Sequence, residues 1–483
     1  MKPSVMALAL AASFGASLAA PAATAADNKE LAEIRAQIRQ MQASYEARLT
    51  ALEQRLAAAQ QATAAAQAQV TALAAPAPAI AVASEAAAPE AAAAPTPAPA
   101  SAATPGNIFN PNISLILGGT YQYLSQDPAA WRLQGFAPSN SDEVGPGKRG
   151  FNLGESELTL QSNIDPDFAG QLTFSLNGDN SFSIEEAFVQ TRELSNGLNL
   201  KFGRFLSSVG YLNSQHAHAW DFVDAPLAYQ VFLGGQYKPD GVQAKWLAPI
   251  DQFLEVGVEA GSGSQFPGND RDKNGLGATD VFAHLGDDLG DAASYRAGLS
   301  YLRTGAQQRS YDDLGVATAF SGRSAVWIVD GIYKWAPNGN PTGTNLKVQG
   351  EYFHRKETGQ LALLGPDSGP GESGGYASAQ SGWYLQSVYQ FMPTWRAGLR
   401  YDHLSSGTPR IGLVDSGVLT LASFPILQAY APSRATLMVD YSPSEFSRLR
   451  LQVARDKSRP GVSDNQIFLQ YIMSLGTHAA HAF

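Results

Sequence analysis

The stretch Asn112-Ile113-Ser114-Leu115-Ile116-Leu117-Gly118-Gly119-Thr120-Tyr121-Gln122-Tyr123 decides the fold of this chain. Ile113, Leu115, Leu117, Gly119, Tyr121 and Tyr123 fall on one face of an extended strand. Ser114, Gly118, Thr120 and Gln122 fall on the other, with Ile116 as the exception. Successive side chains of a strand point to opposite faces, so this run has one apolar and one polar side. Its apolar face ends in two tyrosines, as a strand does where it leaves hydrocarbon for the membrane interface.

The same rhythm continues downstream. Leu158, Leu160 and Ile164 oppose Glu157, Thr159, Gln161 and Asn163. After the turn Asp165-Pro166-Asp167, Leu172, Phe174 and Leu176 oppose Gln171, Thr173, Ser175 and Asn177. Further strands are predicted near 184–193, 198–205, 241–247, 252–260, 278–285, 294–304, 324–335, 345–356, 382–391, 395–404, 433–442, 447–456 and 465–475. The set comes to about 16, an even number as a closed antiparallel barrel in a membrane requires. Tight links at Ser195-Asn196-Gly197, Ala248-Pro249-Ile250-Asp251, Met392-Pro393-Thr394 and Ser442-Pro443-Ser444 carry turn-forming residues. Long connectors are expected at 125–153, 206–240, 261–277, 305–323, 357–381 and 405–432. Long links on one rim and short ones on the other are the mark of a transmembrane β-barrel whose short turns face the periplasm. A soluble β-sandwich would also alternate, but it would not place tyrosine and tryptophan at strand ends.

Composition agrees. Across 483 residues the net charge is -10 and cysteine is absent. An acidic chain is a poor nucleic-acid binder, and without cysteine there are no disulfides, thiolate metal sites or cysteine nucleophiles. Mean hydropathy is slightly negative, which a barrel permits because only alternate residues face lipid. The start reads as a secretory signal over residues 1–25: Lys2, then an apolar stretch from Val5 to Leu18, then Ala23-Thr24-Ala25 as the cleavage site.

Residues 26–73 read as a periplasmic helix. Leu31, Ile34, Ile38, Met41 and Tyr45 step by three and four, and Leu49, Leu52 and Leu56 continue the seam after a stutter. This predicts a coiled coil roughly 65 Å long, with a lone amphipathic helix as the alternative. The Ala/Pro-rich segment 74–106 is a semi-extended linker. The barrel domain takes 107–483. Both its ends then fall on the short-turn side, where the stalk must be.

With these residues in view, the chain resembles the outer-membrane porins of Gram-negative bacteria. A coiled-coil stalk before a barrel is similar to certain sugar-specific porins. Glu185-Glu186-Ala187-Phe188-Val189 followed by Leu198-Asn199-Leu200-Lys201-Phe202-Gly203-Arg204-Phe205 is similar to a strand pair of phosphate-selective porins. The runs His216-Ala217-His218-Ala219-Trp220-Asp221-Phe222, Asp240-Gly241-Val242-Gln243 and His478-Ala479-Ala480-His481-Ala482-Phe483 resemble proteins labelled zinc-regulated TonB-dependent outer membrane receptors. An energised transporter of that kind needs a plug and about 22 strands; between the linker and the first strand there is no room for a plug. The resemblance implies a homotrimer in the outer membrane, surrounded by lipid, that passes small hydrophilic solutes, with the stalk in the periplasm. It also implies that Phe483 is read by the barrel assembly machinery.

In trimeric porins of this size the third outer loop folds into the lumen. Here that loop is 206–240, which places His216, His218, Asp221 and Asp224 at a constriction, with Trp220, Phe222, Leu227, Tyr229 and Phe232 available to pack it on the wall. Carboxylates and imidazoles there would favour cations. Alternatively His216 and His218 ligate zinc or another divalent metal, with Asp221 as the oxygen ligand, and the chain is a metal uptake protein. His478 and His481 form a second candidate metal pair. A third reading makes these histidines ordinary hydrogen-bonding loop residues. The expected pore wall carries Lys201, Arg204, Lys347, Arg355, Arg396, Arg400, Arg448 and Arg450, with Glu155, Glu157, Glu255, Glu259, Glu351 and Asp402 on the same faces. Basic wall facing acidic loop would set up a transverse field. Nucleophile, metalloprotease and phosphate-loop motifs are absent from the sequence, so no catalytic residue and no resident cofactor are expected.

Overall fold

A computed structural model describes residues 111–141, 143–177, 181–192, 194–364 and 370–476. The predicted signal peptide, coiled coil and linker, together with His478, His481 and Phe483, lie outside these residues.

The chain runs through β1 (Asn112–Leu124), β2 (Gly150–Leu153), β3 (Glu157–Asn163), β4 (Phe168–Leu176), β5 (Phe182–Thr191), β6 (Leu198–Arg204), β7 (Asp240–Leu247), β8 (Phe253–Gly261) and β9 (Ala278–Asp288). It continues through β10 (Ala293–Asp313), β11 (Val316–Trp335), β12 (Asn345–Leu364), β13 (Pro370–Met392), β14 (Trp395–Ser405), β15 (Arg410–Ile411), β16 (Ser433–Ser444), β17 (Ser447–Arg459) and β18 (Val462–Gly476). β2 and β3 form one interrupted stave beside β1, and β15 continues the line of β14, so the wall has 16 antiparallel staves. Closure is explicit: β1 pairs with β18 from Ser114↔Gly476 to Leu124↔Gln466.

Closure leaves no edge strand, and the alternation then sorts the two faces. In β16 and β17, Leu437, Val439, Leu449, Leu451 and Val453 are exposed, while Arg434, Thr436, Asp440, Arg450 and Gln452 are buried. A soluble sandwich would do the reverse. The exposed aliphatic side chains face hydrocarbon, so the wall is a membrane-spanning barrel with a polar interior.

Two expected loops are corrected. Residues 305–323 and 357–381 are largely strand, because β10 and β11 turn at Leu314-Gly315 and β12 and β13 pair out to Leu364↔Pro370. Once a strand rises above the lipid, neither face needs to be apolar, and the alternation fades while the backbone ladder persists. The turn after β16 also falls later, at Glu445-Phe446, and the Pro443 region is absorbed as a register shift between Tyr441 and Ser444, a place where a missing N–H does no harm.

Candidate functional site: a loop held across the lumen

The third outer loop, L3, occupies 205–239 between β6 and β7. Its central segment is the short helix α1 (Leu227–Leu233), and all seven of its residues are buried. The apolar residues sit inside the barrel: Leu227, Tyr229, Val231, Phe232 and Tyr237 pack with the lumenal side chains Leu302, Val326, Ile328, Phe353, Tyr384 and Leu404. Leu133 and Phe136 of the first outer loop join the same cluster. The wall makes room at Gly382, where an added Cβ would collide with Leu404 and lie 3.0 Å from the Phe232 ring.

Wall groups also satisfy the loop's backbone. Leu206 N–H donates to Glu186 (2.9 Å), Ser208 to Glu259 (3.0 Å), Gly210 to the Ser300 hydroxyl (3.1 Å) and Leu212 to Glu351 (3.0 Å). Farther along, Val223 N–H donates to Gln452 (2.8 Å) and Leu227 N–H to Asp402 (2.9 Å). Asp402 thereby caps α1, whose preceding residue Pro226 supplies no side-chain cap. At the other end Arg355 donates to the Val231 carbonyl at 3.1 Å. These acceptors lie on β5, β8, β10, β12, β14 and β17, so the loop is fastened to opposite sides of the barrel.

The loop acids are spent in ion pairs. Asp221 lies 2.6 Å from Lys347 and 3.3 Å from Arg396, and accepts from Gln386 at 3.0 Å. Asp224 lies 2.9 Å from Arg400 and 2.5 Å from Arg434. Burial alone would raise the Asp221 carboxyl, but Lys347 and Arg396 hold it below the usual carboxylate range. Arg434 and Arg400 do the same for Asp224 against its own burial. Opposed loop acids and wall bases are therefore in direct contact, not separated across an open gap. The Asp221 carboxylate turns to the bases of β12 and β14 rather than to the imidazoles beside which the metal alternative places it.

The imidazoles face carboxylates of the wall instead. His218 Nδ1 lies 3.1 Å from Glu157 Oε1, and His216 Nδ1 lies 3.2 Å from Glu157 Oε2 and 3.5 Å from Glu185 Oε2. His216 Nε2 lies 3.0 Å from Glu186 Oε2, and the two imidazole rings stack at 5.5 Å. Burial would depress the His216 pKa, but the nearby carboxylates of Glu157, Glu185 and Glu186 outweigh it and hold the imidazole well above its ordinary value.

Two irregularities of the wall aim these acids. Thr173 pairs with Glu186 and Phe174 with Ile184, which leaves Glu185 as an unpaired bulge residue. The bulge shifts the phase of β5 and lets consecutive glutamates both point inward. On the β2–β3 stave, separated from β5 by β4, Gly119 pairs with Leu153 but Ile116 with Glu157, so Gly154, Glu155 and Ser156 face only Leu117 and Gly118. That shift moves the inward phase from Asn152 to Glu157.

Of the expected pore wall, Lys201, Lys347, Arg355, Arg396, Arg400, Arg448 and Arg450 do carry the lumenal parity of their strands. Arg204 does not: it shares the outward phase of Phe202 and pairs with Asp240 at 2.6 Å near the strand end. Arg355 is 1% exposed beneath Phe232 and lines no open water. Arg296, Lys245, Lys334 and Arg434 are lumenal residues missing from the sequence reading, although their strand parity marks them.

No protein-family profile matches the chain. Among solved structures, the chain is similar to a loop L8 deletion mutant of OmpT, an outer membrane protein of Vibrio cholerae, at 12% identity and a TM-score of 0.48, over 76% of this chain and 99% of that one. It is also similar to the outer membrane channel DcaP of Acinetobacter baumannii, at 14% identity and a TM-score of 0.45, over 76% and 97% of the two chains. A protein of Aquifex aeolicus (strain VF5), described as uncharacterized, is 31% identical over 354 residues, which cover 70% of this chain and 71% of the relative. At that identity and coverage, the chain belongs to the same family as the Aquifex aeolicus protein.

Proposed function

We propose that this protein is a passive outer-membrane channel for small hydrophilic solutes, filtered where L3 crosses the lumen. The carrying observation is that Glu186, Glu259, Ser300, Glu351, Asp402 and Gln452 of the wall accept backbone N–H groups along the length of L3. A loop so held narrows the passage with a fixed outline. Size selection follows from that outline, and charge selection from what is left partly exposed around it.

Near the short-turn ends of their strands, Lys201, Lys245, Lys334, Lys347 and Arg396 are partly exposed on the lumenal face, with Glu255 as a partly exposed acid among them. Lys347 and Arg396 share Asp221, and Lys245 pairs with Glu255, but the cations there outnumber these two acids, so that end of the passage is basic and attracts anions by field focusing in a confined, low-dielectric space. The reading also includes a homotrimer gathered by the coiled coil over 26–73, with the stalk in the periplasm.

Reconstitution in a planar bilayer tests the channel. Discrete conductance steps are expected, with a reversal potential in a salt gradient on the anion side. A protein that inserts but gives no steps would sink the reading.

A further inference from the structure

In one lumenal cluster Glu157, Glu185 and Glu186 of the wall meet His216 and His218 of L3; the filter draws only on the other oxygen of Glu186, which accepts the Leu206 N–H. His216 Nε2 lies 3.0 Å from Glu186, so that nitrogen carries a proton and donates it. His216 Nδ1 then faces Glu157 Oε2 at 3.2 Å and Glu185 Oε2 at 3.5 Å. Both His216 Nδ1 and Glu185 Oε2 are buried without a hydrogen-bond partner, and Glu185 is only 6% exposed. His218 Nδ1 approaches the other oxygen of Glu157 at 3.1 Å. Ligating atoms of Glu157, His216 and His218 lie within 4.8 Å of one another.

Buried acceptors that face each other need a positive charge between them, either a second proton on His216 or a metal ion. Three features favour the metal. Two imidazoles converge on one carboxylate, a donor set suited to zinc rather than to calcium or magnesium. A tetrahedral ion with bonds of about 2.0–2.1 Å sets neighbouring ligand atoms about 3.3–3.4 Å apart, close to the 3.1, 3.2 and 3.5 Å gaps between these imidazoles and carboxylates. Glu186 behind His216 has the place of the carboxylate that orients a metal-bound imidazole.

We propose that Glu157, His216 and His218, completed by Glu185, bind a divalent transition metal of the zinc type. The ion fastens L3 to β3 and β5. Its chemistry is separate from conduction, so the two readings fail separately: a silent bilayer removes the channel and leaves metal binding to be judged alone.

The test is calorimetric titration of the chelator-stripped, detergent-folded full-length protein with Zn2+, followed by X-ray absorption at the zinc edge. One tight site per chain with two imidazoles in the coordination shell is expected. The double substitution His216→Ala/His218→Ala weakens it at least ~100-fold, and Glu186→Gln weakens it ~10–100-fold. His478→Ala/His481→Ala leaves it unchanged. Glu185→Gln alters only a wall residue and keeps the test valid if the loop variant does not fold; its affinity is expected to fall. Absence of micromolar binding, loss of binding in the tail variant, or unchanged affinity in Glu185→Gln and Glu186→Gln would each overturn the proposal.

Discussion

The hydroxyl of Tyr229, in the helix of L3, lies 2.9 Å from both carboxylate oxygens of Glu351 on β12. The same carboxylate accepts the backbone N–H groups of Tyr211 and Leu212 at 3.2 and 3.0 Å, and the Tyr384 hydroxyl at 2.6 Å. One wall residue thus holds two separate parts of the loop.

Glu351→Gln is expected to loosen L3 without opening the barrel. It replaces charge-assisted hydrogen bonds worth about 1.5–3 kcal/mol with weaker ones. Open-channel current noise should rise, and protease should cut within 206–240 faster than in the parent. A quiet, protease-resistant variant would show that the anchor lies elsewhere.

Asp221→Asn removes the carboxylate between Lys347 and Arg396 while leaving Arg396 its contact with Asp440. The passage becomes more basic, so the reversal potential in a KCl gradient should move further toward chloride. A shift toward potassium would contradict the assignment of Asp221 to the filter.

The anchoring contribution of His216 should depend on pH when metal is removed by chelation. Its folded value is raised by Glu157, Glu185 and Glu186 against the opposing effect of burial. That contribution is fully present below the unfolded value of about 6.5, and is lost as pH rises through the raised folded value. Current noise is therefore expected to stay flat from mildly acidic to neutral pH and to grow in the alkaline range. His216→Gln should abolish the dependence; a midpoint at an ordinary histidine pKa would refute this anchoring.

Gly382→Val places a branched side chain where Leu404 and Phe232 already meet. Overpacking of this kind costs about 1–3 kcal/mol, and here it should expel α1 from its seat. A larger single-channel conductance, with normal heat-modifiable migration on a gel, is the expected signature.

Deleting 27–73 is expected to lower the yield of cross-linked trimer while the barrel still inserts. Equal trimer yield with and without the segment would remove the coiled coil from the account of assembly.

Much of the wall was legible because lipid on one side and water on the other force a period of two, as in Leu437, Val439 and Leu449 against Arg434 and Arg450. The placement of L3 followed from counting connectors. What escaped detection depends on contacts between distant segments. Asp221 lies near His218 in sequence, yet lysine and arginine of the wall compete for it more strongly than an imidazole can. Strict alternation would put Glu185 and Glu186 on opposite faces, and only the bulge, a matter of pairing with β4, turns both inward. For Arg204 the sequence itself carries the answer, since Lys201 and Arg204 differ by an odd number of positions and so do not share a strand face. The tops of β10–β13 escape the pattern because a strand above the bilayer loses the contrast that reveals it.

Those tall strands give the outer rim an uneven profile. β10, β11, β12 and β13 have 21, 20, 20 and 23 residues, about twice what a tilted strand needs to cross the hydrocarbon. Ladder hydrogen bonds stiffen this raised lip, which therefore presents shape rather than slack peptide to anything arriving from outside. Antibodies or other ligands that grip residues 305–323 should recognise the assembled hairpin and ignore the same peptide when it is free. Epitope tags spliced at Leu314-Gly315 should be displayed at the crest of the lip.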